Sequence, residues 1–238
     1  ERCLVVNFKD CKDANEYLCK KGGLELSNTI KEAIEIPVEG IIDFNTQYDD
    51  LYQLFVKGME TGLTIGLEDI DKAISWELGR LAVVTGIPGH GKSEFVDYIS
   101  IKLNILYGWK VAYFSPENYP TKYHAQKLFS KITGKRFQQG YMTKQEFDDA
   151  FDYVEQNMSF IYPEEDMTVE NILLKAKYLV KKKGIKILVI DPYNKIEHLR
   201  NKTESETEYI SRFLDRLTMF SKRHNVLIFL VAHPRKMD

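Results

Sequence analysis

The junction between LAVVT (81–85) and GIPGHGKSEF (86–95) restricts the folds open to this chain more than any other stretch. An apolar run fit for a buried strand passes directly into a glycine-rich segment, and that segment into helix-forming residues. Gly86, Gly91, Lys92 and Ser93 match the spacing G-x-x-x-x-G-K-[ST], in the strand-before, helix-after setting that gives the spacing its meaning. Glycines let the backbone wrap until its N–H groups point at phosphate oxygens, and the helix N-terminus adds the positive end of its dipole. A chance glycine-rich turn is the competing account, and both flanks argue against it. The expected nucleotide contacts are Gly86, Ile87, Pro88, Gly89, His90, Gly91, Lys92, Ser93 and Glu94. Lys92 would reach the β- and γ-phosphates of ATP or another NTP, and Ser93 would ligate Mg²⁺.

A parallel sheet is the frame such a loop needs, and the rest of the chain supplies one. KVAYFS (110–115), SFIYP (159–163), IKILVID (185–191) and NVLIFLVAH (225–233) read as further strands. Helices are expected between them: 93–106, stopped near Gly108; 122–133; one capped by Thr143 with Glu146; one from Thr168 to a stop at Gly184; and one capped by Thr203 with Glu206, running to His224. Solidly apolar strands alternating with helices predict an α/β fold whose mostly parallel sheet is covered on both faces. Residues 1–35 are polar and helix-prone, broken at Gly22–Gly23, and IPVEGII (36–42) reads as a linker. Helical spacing returns over 45–58 through Leu51, Leu54 and Phe55.

A phosphate loop of this kind needs a second acid for its metal. Asp191 ends ILVID, at the tip of an apolar strand, where ligands collect in open parallel sheets. An Asp that merely starts a turn before Pro192 is the plainer account; its place about one hundred residues after the loop favours metal binding. Pro192 cannot serve as a base, so the acid that orients water is sought elsewhere. Glu117, in VAYFSPEN, would sit beside the γ-phosphate if its strand neighbours the loop strand. His233 closes FLVAH at another strand tip, where it could hydrogen-bond the γ-phosphate and report its loss; a strand-end cap is the alternative.

The formal net charge of the 238 residues is −2, so any nucleic-acid contact must be local or assembled across subunits. The three cysteines, Cys3, Cys11 and Cys19, have no histidine partner beside them and read as reduced thiols, not as a disulfide scaffold or zinc site. No apolar run is long enough to span a bilayer, so no membrane partner is expected. The chain starts at Glu1 and stops just after a strand-like run, which reads as a piece of a longer protein.

GIPGHGKS, YFSPEN, ILVIDPYN and LVAHPRK together resemble the RecA-like ATPase core of replicative ring helicases of the DnaB type, and the His-Pro-Arg-Lys ending resembles its Twinkle-like and phage primase–helicase branch. KDANEYL (12–18) is similar to the segment that closes a Toprim primase domain, and PVEGI (37–41) to the linker after it. The resemblance implies a Toprim-like tail and linker over 1–44 and a RecA-like P-loop core over 45–238, truncated at its C-terminal end. It implies Lys92 and Ser93 as the Walker A pair, Glu117 as catalytic glutamate, Asp191 as the Walker B acid and His233 as the γ-phosphate sensor, a position commonly Gln in DnaB itself. It places the first central-channel loop after Asp191, making Lys195, Arg200 and Lys202 candidate DNA contacts, with Arg235 and Lys236 at the second. The implied partners are ATP, Mg²⁺, single-stranded DNA and further copies in a ring, expected to be hexameric. The family's arginine finger would fall beyond Asp238 and the Toprim metal acids upstream, so primase activity is not implied and turnover by this stretch alone is expected to be weak.

Two other readings stay open from the residues alone: a RecA-like recombination or helicase-loading ATPase, and a nucleotide-switched assembly module that does no work. A replicative motor would act in the cytoplasm of a bacterial or phage-infected cell, ahead of the mitochondrial matrix.

Overall fold

A computed structural model of the chain describes residues 4–35, 41–58, 62–163, 166–197 and 205–233. They belong to two compact units, Glu1–Glu60 and Thr61–Asp238.

In the first unit a short ladder pairs β1 (Leu4–Val5) antiparallel to β2 (Ile34–Glu35), around α1 (Ala14–Lys21) and α2 (Gly23–Lys31). Asp13 caps α1 by accepting from the Glu16 N–H. Gly22 separates the two helices at a φ of 87°, a left-handed value that only glycine adopts freely. Tyr17 is buried and accepts a hydrogen bond from Thr29 at 3.1 Å. α3 (Tyr48–Lys57) is helical as its spacing predicts, with Leu51, Leu54 and Phe55 all exposed. Cys11 and Cys19 are free thiols, and Cys3 and residues 36–40 of the expected linker lie outside the described residues.

The second unit opens with a bridge between Leu63 and Trp76 around α4 (Glu68–Asp71). The Asp71 carboxylate holds that turn by accepting from the N–H groups of Ile65, Gly66 and Leu67. Then come β3 (Leu81–Thr85), α5 (Lys92–Tyr107), β4 (Lys110–Phe114), α6 (Thr121–Thr133), α7 (Lys144–Asn157), β5 (Met158–Phe160), α8 (Val169–Lys183), β6 (Ile185–Ile190), α9 (Glu206–His224) and β7 (Leu227–Ala232). The strands form one parallel sheet in the order β3-β7-β6-β4-β5.

Alternate residues of these strands feed opposite faces, as a period of two requires. Val111, Tyr113, Ile187, Val189, Leu227 and Phe229 pack with Val96, Ile99 and Leu103 of α5, Leu128 of α6 and Val154 of α7. Ala112, Phe114, Leu188, Ile190, Ile228 and Leu230 face Ile172 and Ala176 of α8 and Phe213 and Leu217 of α9. The double covering holds for the central strands. It is incomplete at β3, an edge strand with Val83 52% exposed, so LAVVT is less buried than its composition predicts.

The helix punctuation follows the sequence closely. α5 stops at Gly108 and α8 at Gly184, both left-handed. Thr143 and Glu146 form the expected capping box on α7. At α9 the expectation needs correcting: the box is Ser205 with Glu208, two residues beyond the pair Thr203 and Glu206. TESETE (203–208) offers the S/T-x-x-E pattern in two overlapping frames, and a helix that starts at Glu206 uses the second; Thr203 itself lies outside the described residues. Among the described residues no helix is long and apolar enough to cross a membrane.

Candidate functional site

Parallel pairing brings four strand ends to one edge of the sheet. Thr85 pairs with Ala232, Ile190 with Leu230 and Phe114 with Ile190, so the residues that follow β3, β7, β6 and β4 emerge side by side. Those residues are the 86–93 loop, His233, Asp191 and the turn Pro116–Asn118 that holds Glu117. One departure matters. β3 and β4 are not neighbours, because β7 and β6 lie between them, so the premise that set Glu117 beside the loop strand fails. Glu117 lies next to the strand of Asp191 instead, near enough for its charge to act on that carboxyl. The order of strands in a sheet is fixed by crossovers, which residue spacing does not encode.

The loop has the shape the glycines allow. Gly86 adopts φ 151°, Gly89 φ 80° and Gly91 φ 78°. A Cβ at Gly89 or Gly91 would meet nothing within 4 Å, so the requirement there is backbone conformation and not space. Ile87, Pro88, Gly89 and His90 form the exposed apex, and Gly91 is the left-handed N-cap of α5. The Lys92 ammonium is buried and donates to the carbonyls of Gly86 at 2.7 Å and Ile87 at 3.0 Å, which centres a cation inside the cradle. Glu94 points away to α6, where Lys131 and Lys127 bind its carboxylate.

Asp191 is 6% exposed, and its backbone N–H continues the ladder by donating to the Phe114 carbonyl at 2.9 Å. Burial pushes its carboxyl above the ordinary value. The nearby Ser93 hydroxyl pulls the other way, while the charges of Asp97 and Glu117 add to the rise and His124 opposes it. A buried carboxylate with a hydroxyl and a second acid nearby has its charge incompletely neutralised by the chain. Oxygen donors of this kind suit a hard divalent cation, so Ser93 and Asp191 fit Mg²⁺. His233 is half-buried; its N–H donates to Asn194 Oδ1 at 3.3 Å, and its buried Nδ1 has no hydrogen-bond partner among the described residues. Lys195, expected on DNA, has its ammonium 3.9 Å from the Glu117 carboxylate. Arg200, Lys202, Arg235 and Lys236 lie outside the described residues.

With this geometry in place, comparison with known proteins is decisive. Residues 62–236 match the DnaB-like helicase C terminal domain family. The chain belongs to that family. It is 36% identical over 255 residues to the Twinkle homolog protein, chloroplastic/mitochondrial, of Arabidopsis thaliana, an alignment covering 100% of this chain and 36% of that protein. The chain thus spans little more than a third of that relative's length. Among solved structures it resembles the ATPase domain of G40P, with a TM-score of 0.64 at 16% identity, over 84% of this chain and 73% of that one. It also resembles a DnaB-like replicative helicase studied with primase, with a TM-score of 0.60 at 15% identity, over 94% of this chain and 55% of that one. At these identities the structural likeness speaks to the fold, which is that of the RecA-like DnaB helicase ATPase domain.

As a DnaB-like domain, the chain carries a nucleotide-binding core, and the 86–93 loop, Glu117, Asp191 and His233 all follow strand ends on one side of its sheet. Sequence reasoning missed Asn194, which holds the His233 backbone, and the buried group Asp97, His124 and Lys131 behind the loop. Asn194 directly follows the Asp-Pro-Tyr run, and nothing in its spacing marks it. The other three do leave a pattern: Glu94 and Asp97 on α5 against His124, Lys127 and Lys131 on α6, all at helical three- or four-residue spacing.

Proposed function

We propose that the chain is the ATPase core of a replicative DNA helicase, coupling ATP hydrolysis to movement along single-stranded DNA and separation of the duplex. The observation that carries this reading is the buried Asp191 with Ser93 and Glu117 near its carboxyl, at the mouth of a glycine cradle centred on Lys92, in a DnaB-like domain.

The cradle's N–H groups and the Lys92 ammonium bind the β- and γ-phosphates of ATP. Lys92 exchanges two loop carbonyls for phosphate oxygens, so little reorganisation is needed. Ser93 and Asp191 would hold Mg²⁺, which would supply neutralisation of the charge that builds on the transferring phosphoryl group. Glu117 accepts a hydrogen bond from the attacking water and takes up its proton. His233 hydrogen-bonds the γ-phosphate, and through Asn194 its movement passes to the segment that begins with Lys195. Lys195, Arg200, Lys202, Arg235 and Lys236 grip the backbone of one strand, an electrostatic and sequence-independent contact. A ring of copies, hexameric in this reading, sets these loops around a channel, which reconciles DNA binding with a net charge of −2. Residues 1–44 are the tail of a Toprim-like domain with its linker, and 45–238 the core. The compartment is that of the DNA being copied: bacterial or phage-infected cytoplasm, with an organelle as in the Arabidopsis relative as the second reading.

Glu117→Gln tests the reading in the full-length protein. Hydrolysis stimulated by single-stranded DNA should fall by about 10²- to 10⁴-fold and fork unwinding should stop, with ATP binding retained. If unwinding persists, or if DNA never stimulates hydrolysis in the unaltered protein, the motor reading fails and a nucleotide-switched assembly module replaces it.

A further inference from the structure

α5 starts at the phosphate-binding Lys92, and α6 follows the turn that holds Glu117; a lattice of charges fastens the two helices together. His124 Nε2 lies 3.1 Å from Asp97 Oδ1, with side chains 3% and 6% exposed. Lys131 Nζ is 3.2 Å from Asp97 Oδ2 and 2.5 Å from Glu94 Oε2. Lys127 Nζ is 3.3 Å from Glu94 Oε1 and donates to Asn118 Oδ1 at 3.0 Å. Asn118 donates in turn to Ser115 Oγ at 2.8 Å. The path therefore runs from Glu94, next to the metal-binding Ser93, through Lys127 to Asn118, next to Glu117. The His124 ring is fixed from behind by edge contacts with Tyr113 at 4.7 Å and Phe160 at 5.6 Å.

Asp97 and His124 are buried and Lys131 mostly so, while Glu94 and Lys127 are about half exposed; burying charge is costly, and apolar side chains would hold the buried part of the contact with less penalty. What charges add is direction: each bond fixes one atom of α5 against one atom of α6, where an apolar contact tolerates sliding. We propose that His124, Lys127 and Lys131 are positioning residues that make the phosphate loop, α5 and the Glu117 turn one mechanical unit, so that nucleotide bound at Lys92 and Ser93 sets the placement of Glu117. The proposal rests on the nucleotide-site reading above, and it explains how Glu117 can answer to a loop whose strand is separated from its own by two others.

The test is amide hydrogen exchange on the 238-residue chain, with and without Mg²⁺ and a non-hydrolysable ATP analogue. In the unaltered protein the analogue should slow exchange over 86–95 and also over 115–124. In Lys131→Met and Lys127→Met the slowing over 86–95 should persist, while that over 115–124 shrinks about tenfold, and Lys131→Arg should restore most of it. Lys127 is part-exposed, so Lys127→Met folds even if Lys131→Met does not. The proposal is overturned if both Met variants keep both effects, or if they lose both together with a lowered melting temperature, the signature of a purely structural role. If the analogue slows neither segment in the unaltered protein, the nucleotide-site reading is what has failed, and the proposal falls with it.

Discussion

Lys195 belongs to two neighbourhoods at once. It opens the segment proposed to grip DNA, and its ammonium is 3.9 Å from the acid proposed to activate water. Both side chains are about half exposed, so the pair is worth only about 0.2–1 kcal/mol. While the pair holds, Glu117 has a cation competing with water for its carboxylate; DNA phosphate would draw the cation away. Lys195→Ala should therefore raise hydrolysis without DNA by about two- to fivefold and reduce the stimulation that DNA gives, measured as steady-state phosphate release. Unchanged basal turnover would leave Lys195 as a DNA contact alone. At this scale the sequence was legible where a fixed residue type stands at a fixed spacing next to its strand: the glycines of the loop after β3, and Asp191 at the tip of β6. The placing of Glu117 beside the loop strand was not, because strand order set its turn next to Asp191 instead. The sequence was also illegible where a contact depends on which loops fold together, as with Lys195 on Glu117 or Asn194 on the His233 backbone.

Helix ends illustrate what an element owes to a few residues. α7 starts with Thr143 accepting from the Glu146 N–H while the Glu146 carboxylate accepts from the Thr143 N–H at 2.9 Å. Hydrogen bonding to Lys135, then to the Thr143 N–H and hydroxyl, lowers the Glu146 carboxyl from 4.5 to about 2. A carboxyl lowered in the folded state stabilises it fully above its ordinary value, and that contribution fades as pH falls from 4.5 toward about 2. Glu146→Gln should thus melt lower than the unaltered protein at pH 6, and the gap should close on acidification through that window. A gap that is constant with pH would mean the carboxylate is not held this way. Ser205→Ala should lower stability by about 1 kcal/mol, a melting shift of about 2–4 °C in a domain of this size, whereas Thr203→Ala should not. Equal effects would reinstate Thr203 as part of the cap. Capping patterns were readable because the hydrogen bonds are local; the choice between the overlapping frames in TESETE depends on where the α9 stripe of Tyr209, Phe213, Leu217 and Phe220 meets the sheet.

The whole molecule is divided more unevenly than its sequence divides it. Parallel strands and their helices were legible from apolar runs and punctuation, but their order was not, and that order decides that Glu117 neighbours Asp191 and not the loop strand. The same distinction between local and long-range information governs stability. Both core clusters draw only on residues from Ile65 to Val231, whereas the buried apolar side chain of the first unit is Tyr17 alone among its described residues. A chain of about 60 residues is marginal even with a full core, and this one lacks it. A protein starting at Thr61 should therefore melt cooperatively at the temperature of the 238-residue chain and bind an ATP analogue equally well through Lys92. Residues 1–60 alone should show far-UV circular dichroism close to that of an unfolded chain, since helices as short as α1, α2 and α3 are unstable in water without tertiary packing. Chains starting at residue 45 and at Thr61 locate the boundary of the core. If the longer one melts higher, α3 contributes to the folding of the ATPase core and the unit begins near residue 45; if the two melt together, the core is complete from Thr61, and α3 with its exposed Leu51, Leu54 and Phe55 is free to serve assembly without being needed for folding.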